Sequence, residues 1–245
     1  MRFDIITLFP ELIQPFLSVG IARRAFESKQ IDVHLWQLRD YAEGNYKRVD
    51  DRPFGGGPGM VMLAEPLAAC LAAIKHTREA TSSKASTSAI PVVLFSPIGQ
   101  PIAQSVVETW ADAGGEFGEG AILICGRYEG LDQRFIDAHV THQLSLGDFV
   151  LSGGEIAAVA LLDAIARLQP GVLTDEQSHL QDSFNPAISG LLDCQHYTRP
   201  EEWRGIGVPE VLMSGNHAKI EAWRQAQRLA LTKNLRPDII DAKKL

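Results

Sequence analysis

Three short stretches set glycines among polar and charged side chains, each directly after an apolar run. SPIGQ holds Ser96, Pro97 and Gly99 and follows PVVLF. GRYEG is Gly126, Arg127, Tyr128, Glu129 and Gly130, and follows AILIC. SLGDFVLSGGE carries Ser145, Leu146, Gly147, Asp148, Val150, Leu151, Gly153 and Gly154, and it runs from a strand-like start to a helix-like end. Glycine leaves main-chain N–H and C=O groups open to a neighbour. Such groups can read a purine edge without any special side chain. Each loop alone fits a plain turn. In a parallel sheet all three would lie at the carboxyl ends of strands, on the rim where such sheets bind ligands.

Other chemistries find little support. Gly55, Gly56 and Gly57 open GGGPG, which lacks the G-x-G-x-x-G spacing and the strand–turn–helix setting of a dinucleotide site. Neither a G-K-[ST] phosphate loop nor a G-x-S-x-G elbow occurs. His139 and His142 have no acidic or third ligand beside them, so they read as surface or packed histidines, and no metal site is expected. Cys70, Cys125 and Cys194 are widely spaced and odd in number. They argue for a reducing compartment, against a disulfide frame and against zinc. Two charged residues stand apart. Arg167 ends the apolar stretch IAAVALLDAIARL, where by itself it would complement a helix dipole. Asp182 lies in polar VLTDEQSHLQDS, where by itself it would cap a helix. Spacing alone does not pair them.

These residues need a frame. Residues 2–9 and 31–38 read as strands, and 20–29 and 65–76 as helices. Residues 91–96 and 121–125 are continuous apolar runs, which suit strands buried on both faces. Helices follow at 101–113, 131–138 and 154–168. The rhythm predicts an α/β fold: a mostly parallel sheet with helices on both faces. The small polar residues of 77–89 read as a surface loop. A domain over 1–171, a linker over 172–185 and a second unit over 186–245 are expected. In the second unit, 218–231 reads as an amphipathic helix with Ile220, Trp223, Ala226 or Gln227 and Leu231 inward, preceded by SGN as a cap.

Composition sets outer bounds. Of 245 residues, 45% are hydrophobic and 22% charged, the balance of a folded protein. No apolar run reaches the ~18 residues of a membrane helix. The N-terminus lacks a signal-peptide pattern, so a cytoplasmic protein is expected. The net charge of −7 is not that of a nucleic-acid binder. Residues 186–245 nonetheless hold 9 Lys+Arg to 7 Asp+Glu, against 14 to 23 elsewhere. An anionic partner would rely on local patches such as Arg23, Arg24, Lys47, Arg48 and the basic helix at 219–236.

Longer motifs carry a resemblance. VDDRPF followed by GGGPGM, then CGRYEGLD, SLGDFVLSGGE, LLDCQHYTRP and VLMSGNHAKIEAWR stand in one order over residues 1–236. In this order they closely resemble the bacterial tRNA (guanine-N1)-methyltransferases of the SPOUT superfamily, which modify guanosine 37 beside the anticodon. The 77–89 segment and the PDIIDAKKL end match least well.

The resemblance implies a deep trefoil knot formed by the three loops, which binds S-adenosylmethionine. It implies a small, mainly helical C-terminal domain that grips tRNA. It also implies an obligate homodimer whose active sites draw on both chains. QDSF places Asp182 as the general base for N1, and the matching helix end places Arg167 at guanine O6. Glu129 matches a carboxylate near the methionine end of the cofactor. Asp50, Arg52 and Gly55, Gly56 and Gly57 match the tRNA side. A Mg²⁺ requirement comes with the family, with no ligand cluster in the sequence to place it. Two other readings stand beside this one: a SPOUT enzyme acting on a ribose 2′-hydroxyl or on rRNA, and a noncatalytic cofactor- or RNA-binding module.

Overall fold

Strand β1 (Arg2–Thr7) lies second in a five-stranded sheet, and all but its first residue are buried. A computed structural model describes residues 1–81, 90–175 and 178–241. They fall into two compact units, Met1–Thr174 and Asp175–Leu245. In the first unit β2 (Asp32–Gln37) follows β1, and β3 (Asp50–Asp51) and β4 (Val61–Met62) form a short antiparallel ladder. Then come β5 (Val92–Pro101), β6 (Gly120–Ile124) and β7 (His142–Ser145). The main sheet runs β2-β1-β6-β5-β7, with every pair parallel. β6, sequence GAILI, is buried along its whole length. That is the pattern of a strand covered on both faces.

Alternating side chains divide the apolar interior between the two faces. Phe3, Ile5, Val93 and Leu123 pack with helices α1 (Arg23–Glu27), α3 (Gln104–Ala111) and α5 (Glu155–Arg167). Trp110, Leu161 and Ile165 are the main helical partners there. Ile6, Leu94, Ile122 and Ile124 pack on the other face with α2 (Ala64–Thr81) and α4 (Gln133–His139), through Leu67, Leu71, Ile74 and Phe135. Truncating any of these large side chains to Ala costs about 2–5 kcal/mol. The α/β sheet with helices on both faces is the fold the sequence predicts.

Two expectations change. Residues 77–81 continue α2 instead of looping. Arg78 lies buried beneath the sheet, where its guanidinium pairs with Asp4 of β1 and donates to the carbonyls of Arg2 and Ala121. A tertiary ion pair thus holds a turn of helix that local composition would melt. Residues 82–89 of the expected loop lie outside the described residues. The second change is that β5 does not end at Ser96 but extends to Pro101 through a bulge.

The second unit holds single-turn 3₁₀ segments at Ser178–Gln181 and Pro186–Ile188 and a hairpin of β8 (Glu202–Trp203) and β9 (Ile206–Gly207). Helices α6 (Glu210–Met213), α7 (His217–Leu235) and α8 (Pro237–Asp241) follow. Asn216 caps α7, its side chain accepting from Lys219 N–H at 3.1 Å. The buried seam of α7 is polar, unlike the expected apolar stripe. Arg228 and Thr232 are its buried residues, whereas Ile220, Trp223, Gln227 and Leu231 are half-buried and Ala226 is exposed. Arg228 pairs with Glu221 at 2.9 Å and Asp193 at 3.5 Å, and Thr232 Oγ1 accepts from Leu192 N–H at 3.0 Å. No helix of the described residues is long and apolar enough to cross a membrane.

Candidate active site

β6, β5 and β7 are neighbours, so the loops that leave their carboxyl ends converge. They bound one cavity of about 520 Å³. That volume lies in the range of small-molecule sites, about 300–1,000 Å³. Ser96 and Pro97 line it from the first loop and Gly126, Arg127, Tyr128, Glu129 and Gly130 from the second. Ser145, Leu146, Gly147, Val150, Leu151, Gly153 and Gly154 line it from the third. Gly99 and Asp148, expected there too, do not. Gly99 lies on the backbone of β7, where an added Cβ would stand 2.5 Å from main-chain atoms of Gln143 and Leu144. Leu144 pairs with both Phe95 and Gln100 of β5, so residues 96–99 arch out of a strand that then resumes. SPIG is thus a four-residue bulge whose glycine permits close packing, with Gln100 back in the ladder.

One arginine ties the second loop to the third. Gly154 N–H donates to Gly126 O at 3.1 Å, and Arg127 and Gly153 form an antiparallel bridge. The Arg127 guanidinium donates to Ser152 O at 3.1 Å and lies 4.6 Å over the Phe9 ring. A Cβ on Gly153 would come within 2.1 Å of Arg127 Nε, so no larger residue fits beside this clamp. Arg127 Nη2 lies 2.8 Å from Glu155 Oε2, and Nε donates to Oε1 at 3.2 Å. Thr7 Oγ1 donates to the same Oε1 at 2.7 Å. Glu155 is fully buried in the first turn of α5, where the helix dipole favours a negative charge. The Oε2 contact to Arg127 is an ion pair without a well-aligned hydrogen bond. Thr7 and Glu155 escape the sequence reading. The usable signal was an acid placed directly after two glycines at a helix start.

The GGGPGM segment abuts the second loop. Gly59 has φ +82°, and a Cβ on it would overlap the Glu129 carboxylate. Glu129 N–H donates to Met60 O at 3.0 Å, and Met62 N–H to Gly130 O at 2.9 Å. Tyr128, just before Glu129, has φ +60°, a left-handed conformation that costs a bulky residue about 1–3 kcal/mol. Asp50, Arg52, Gly55, Gly56 and Gly57 do not line the cavity. The three glycines have φ of +87°, +79° and +118° and lie in an exposed turn.

Arg167 is the last residue of α5 and half-buried, in the first unit. Asp182 follows a 3₁₀ turn in the second unit and is also half-buried. Asn185 caps the next 3₁₀ turn, its side chain accepting from Ala187 N–H at 2.8 Å. His139 tilts against Phe135, and His142 packs edge-on against Phe117, as packed histidines do. Among the described residues, the Asp, Cys and His grouping of Asp193, Cys194 and His196 brings ligand atoms within 4.8 Å. A thiol and an imidazole with Arg228 alongside are not a Mg²⁺ donor set, which calls for oxygen ligands. That grouping therefore does not fit the Mg²⁺ that the resemblance implies. All three cysteines are free and buried.

Comparison with known proteins agrees with this geometry. The family described as tRNA (Guanine-1)-methyltransferase TrmD matches residues 1–242. A tRNA (guanine-N(1)-)-methyltransferase of Albidiferax ferrireducens is 66% identical over 241 residues, 98% of this chain and 92% of its own. The Bordetella parapertussis protein of that name is 52% identical over 241 residues, 98% of this chain and 90% of its own. That of Stenotrophomonas maltophilia is 51% identical over 245 residues, all of this chain and 92% of its own. The chain belongs to the tRNA (guanine-1)-methyltransferase family, an enzyme family of SPOUT methyltransferases that use S-adenosylmethionine.

Proposed function

We propose that this chain moves the methyl group of S-adenosylmethionine to N1 of guanosine 37 in tRNA. In this reading the three loops hold the cofactor, Asp182 is the general base and Arg167 stabilises O6. The observation that carries the reading is that all three glycine-bearing loops meet in one cavity, the second and third tied together by Arg127. The walls suit a bent ligand gripped by main chain. Gly126 and Gly154 let the second and third loops pack closely behind that wall, and a Cβ on Gly154 would lie 2.8 Å from Cys125 Cα. When bound, S-adenosylmethionine supplies an electrophilic methyl group. Guanine N1 carries a proton and is a poor nucleophile, so a carboxylate must take that proton as the methyl arrives. Asp182 is the residue given this task, and the proton ends on its carboxylate. Negative charge spreads to O6, where the guanidinium of Arg167 offsets it. The rest is positioning.

The same reading takes the β5 bulge and the close seat of Gly99 on β7 as the trefoil knot. It takes the second unit as the tRNA grip, with Asp50, Arg52 and Gly55, Gly56 and Gly57 on the tRNA side. The enzyme works as a homodimer in the cytoplasm. Phe149, Val150 and Ile156 beside the cavity are 54%, 85% and 54% exposed, as suits a face that a second copy covers. A partner chain would supply Asp182 to a neighbour's cavity.

The test is labelled-methyl transfer to a tRNA transcript with guanosine at position 37. Replacing that base with adenosine abolishes transfer. Asp182→Ala lowers transfer by about 10²- to 10⁴-fold, while S-adenosylhomocysteine binds as to the wild type. Full activity of that variant would remove the base from Asp182. Transfer to the adenosine transcript would remove guanosine 37 as the target.

A further inference from the structure

Among the described residues, two aromatic side chains stand on a left-handed backbone. Tyr128 belongs to the cavity wall. The other is Phe184, at φ +73°, two residues after Asp182. A bulky residue keeps such a conformation only where its surroundings over-determine it, and such residues concentrate at functional sites. The surroundings here all belong to the second unit. Phe184 N–H donates to Leu191 O at 2.8 Å, and Ser183 Oγ accepts from Asp193 N–H at 2.9 Å. Asn185 closes the turn. It is the one buried residue among 178–187, and it is polar. Its Nδ2 donates to His179 O at 2.9 Å, the carbonyl that also accepts from Asp182 N–H at 3.3 Å. Its own N–H donates to Asp182 O at 3.1 Å. The N–H and the C=O of Asp182 are thus tied into one ring, which the Asn185 amide completes.

A cap on the next turn needs Oδ1 of Asn185 alone. The Nδ2 bond does something else: it reaches back six residues, across Asp182. A general base works only within hydrogen-bond reach of the proton it takes. A misplacement of about 1 Å can lower a rate 10²-fold. Resting on the assignment of the base to Asp182, we propose that Asn185 is a positioning residue for that base. It acts through the main chain of His179 and Asp182, and takes no part in the proton transfer itself. Asn185 lies between QDSF and LLDCQHYTRP, outside the motifs that carry the resemblance.

Single-turnover methyl transfer to the guanosine-37 transcript tests this, with tRNA and S-adenosylmethionine both saturating. Asn185→Ala lowers that rate by about 10- to 100-fold, while S-adenosylhomocysteine binds as to the wild type in calorimetry. In an Asp182→Ala background the same substitution has no further effect, because groups that act as a unit are not additive. Asn185→Asp still caps Ala187 N–H but has no donor for His179 O, so it is slow as well. Equal slowing in both backgrounds makes Asn185 a packing residue and overturns the proposal. So does full activity of the aspartate variant, which decides the matter even if the alanine variant fails to fold. A rate that recovers at higher tRNA concentration, or weakened S-adenosylhomocysteine binding, overturns it too. If Asp182→Ala is itself fully active, it is the base assignment that falls.

Discussion

Asp4 and Glu155 are both fully buried carboxylates paired with arginine, yet they do different work. Asp4 accepts from Arg2 at 3.0 and 2.9 Å, from Trp36 Nε1 at 2.8 Å and from Arg78. Arg78 also donates to strand carbonyls. Through Arg78, Asp4 closes α2 onto the sheet. Glu155 accepts from Thr7 and Arg127 alone among the described residues, and Arg127 reaches on to Ser152 O and the cavity wall. The same ion pair is scaffold in one place and loop anchor in the other. The distinction lies in what the arginine holds with its other nitrogens.

That contrast can be broken experimentally. The largest effect is expected of Asp4→Ala, which strands a buried Arg78 and lowers stability by about 3–5 kcal/mol in urea denaturation. The folded fraction should bind S-adenosylhomocysteine normally, and weakened binding would show that the Asp4 cluster also shapes the site. Glu155→Gln comes next, at about 1–3 kcal/mol, since the buried group keeps its shape but loses its charge. Here cofactor affinity should fall together with stability, because Arg127 is released from its anchor. Unchanged affinity would reduce Glu155 to a second scaffold.

The smallest effect concerns a thiol beside each cluster. Burial pushes Cys70 up to about 12, and Asp4 and Asp40 add to it. Burial likewise raises Cys125, with Glu155 adding and Arg127 opposing. Raised thiols favour the folded state below the unfolded value of 9.0, and that advantage is lost as pH rises above it. Denaturation midpoints should therefore fall by about 1 kcal/mol per thiol between pH 9 and 10. A flat profile there would mean that neither thiol is held protonated.

Local features were legible wherever the signal was local. The apolar runs of β5 and β6, the entry of α5 after Gly154 and the Asn216 cap follow from composition and spacing. Fourteen of sixteen expected cofactor residues line the cavity, because a loop after a parallel strand has only one rim to occupy. Gly99 stands apart from the cavity wall because its glycine serves packing against β7, a contact 44 residues away. The end of α2 was misread because small polar residues mask the long reach of Arg78 to Asp4. The seam of α7 was misread because Arg228 and Thr232 are buried by partners from the 190s, which periodicity cannot see.

Order and spacing of motifs alone were enough for the α/β class, the three loops and the family, since each depends on neighbours within a few residues. Asp182 and Arg167 drew their roles from that resemblance. Folding in three dimensions decided the rest: the bulge in β5 and the Thr7–Glu155–Arg127 anchor that joins groups up to 148 residues apart. Burial and charge pairing are properties of surroundings, and surroundings exist only once distant strands lie side by side.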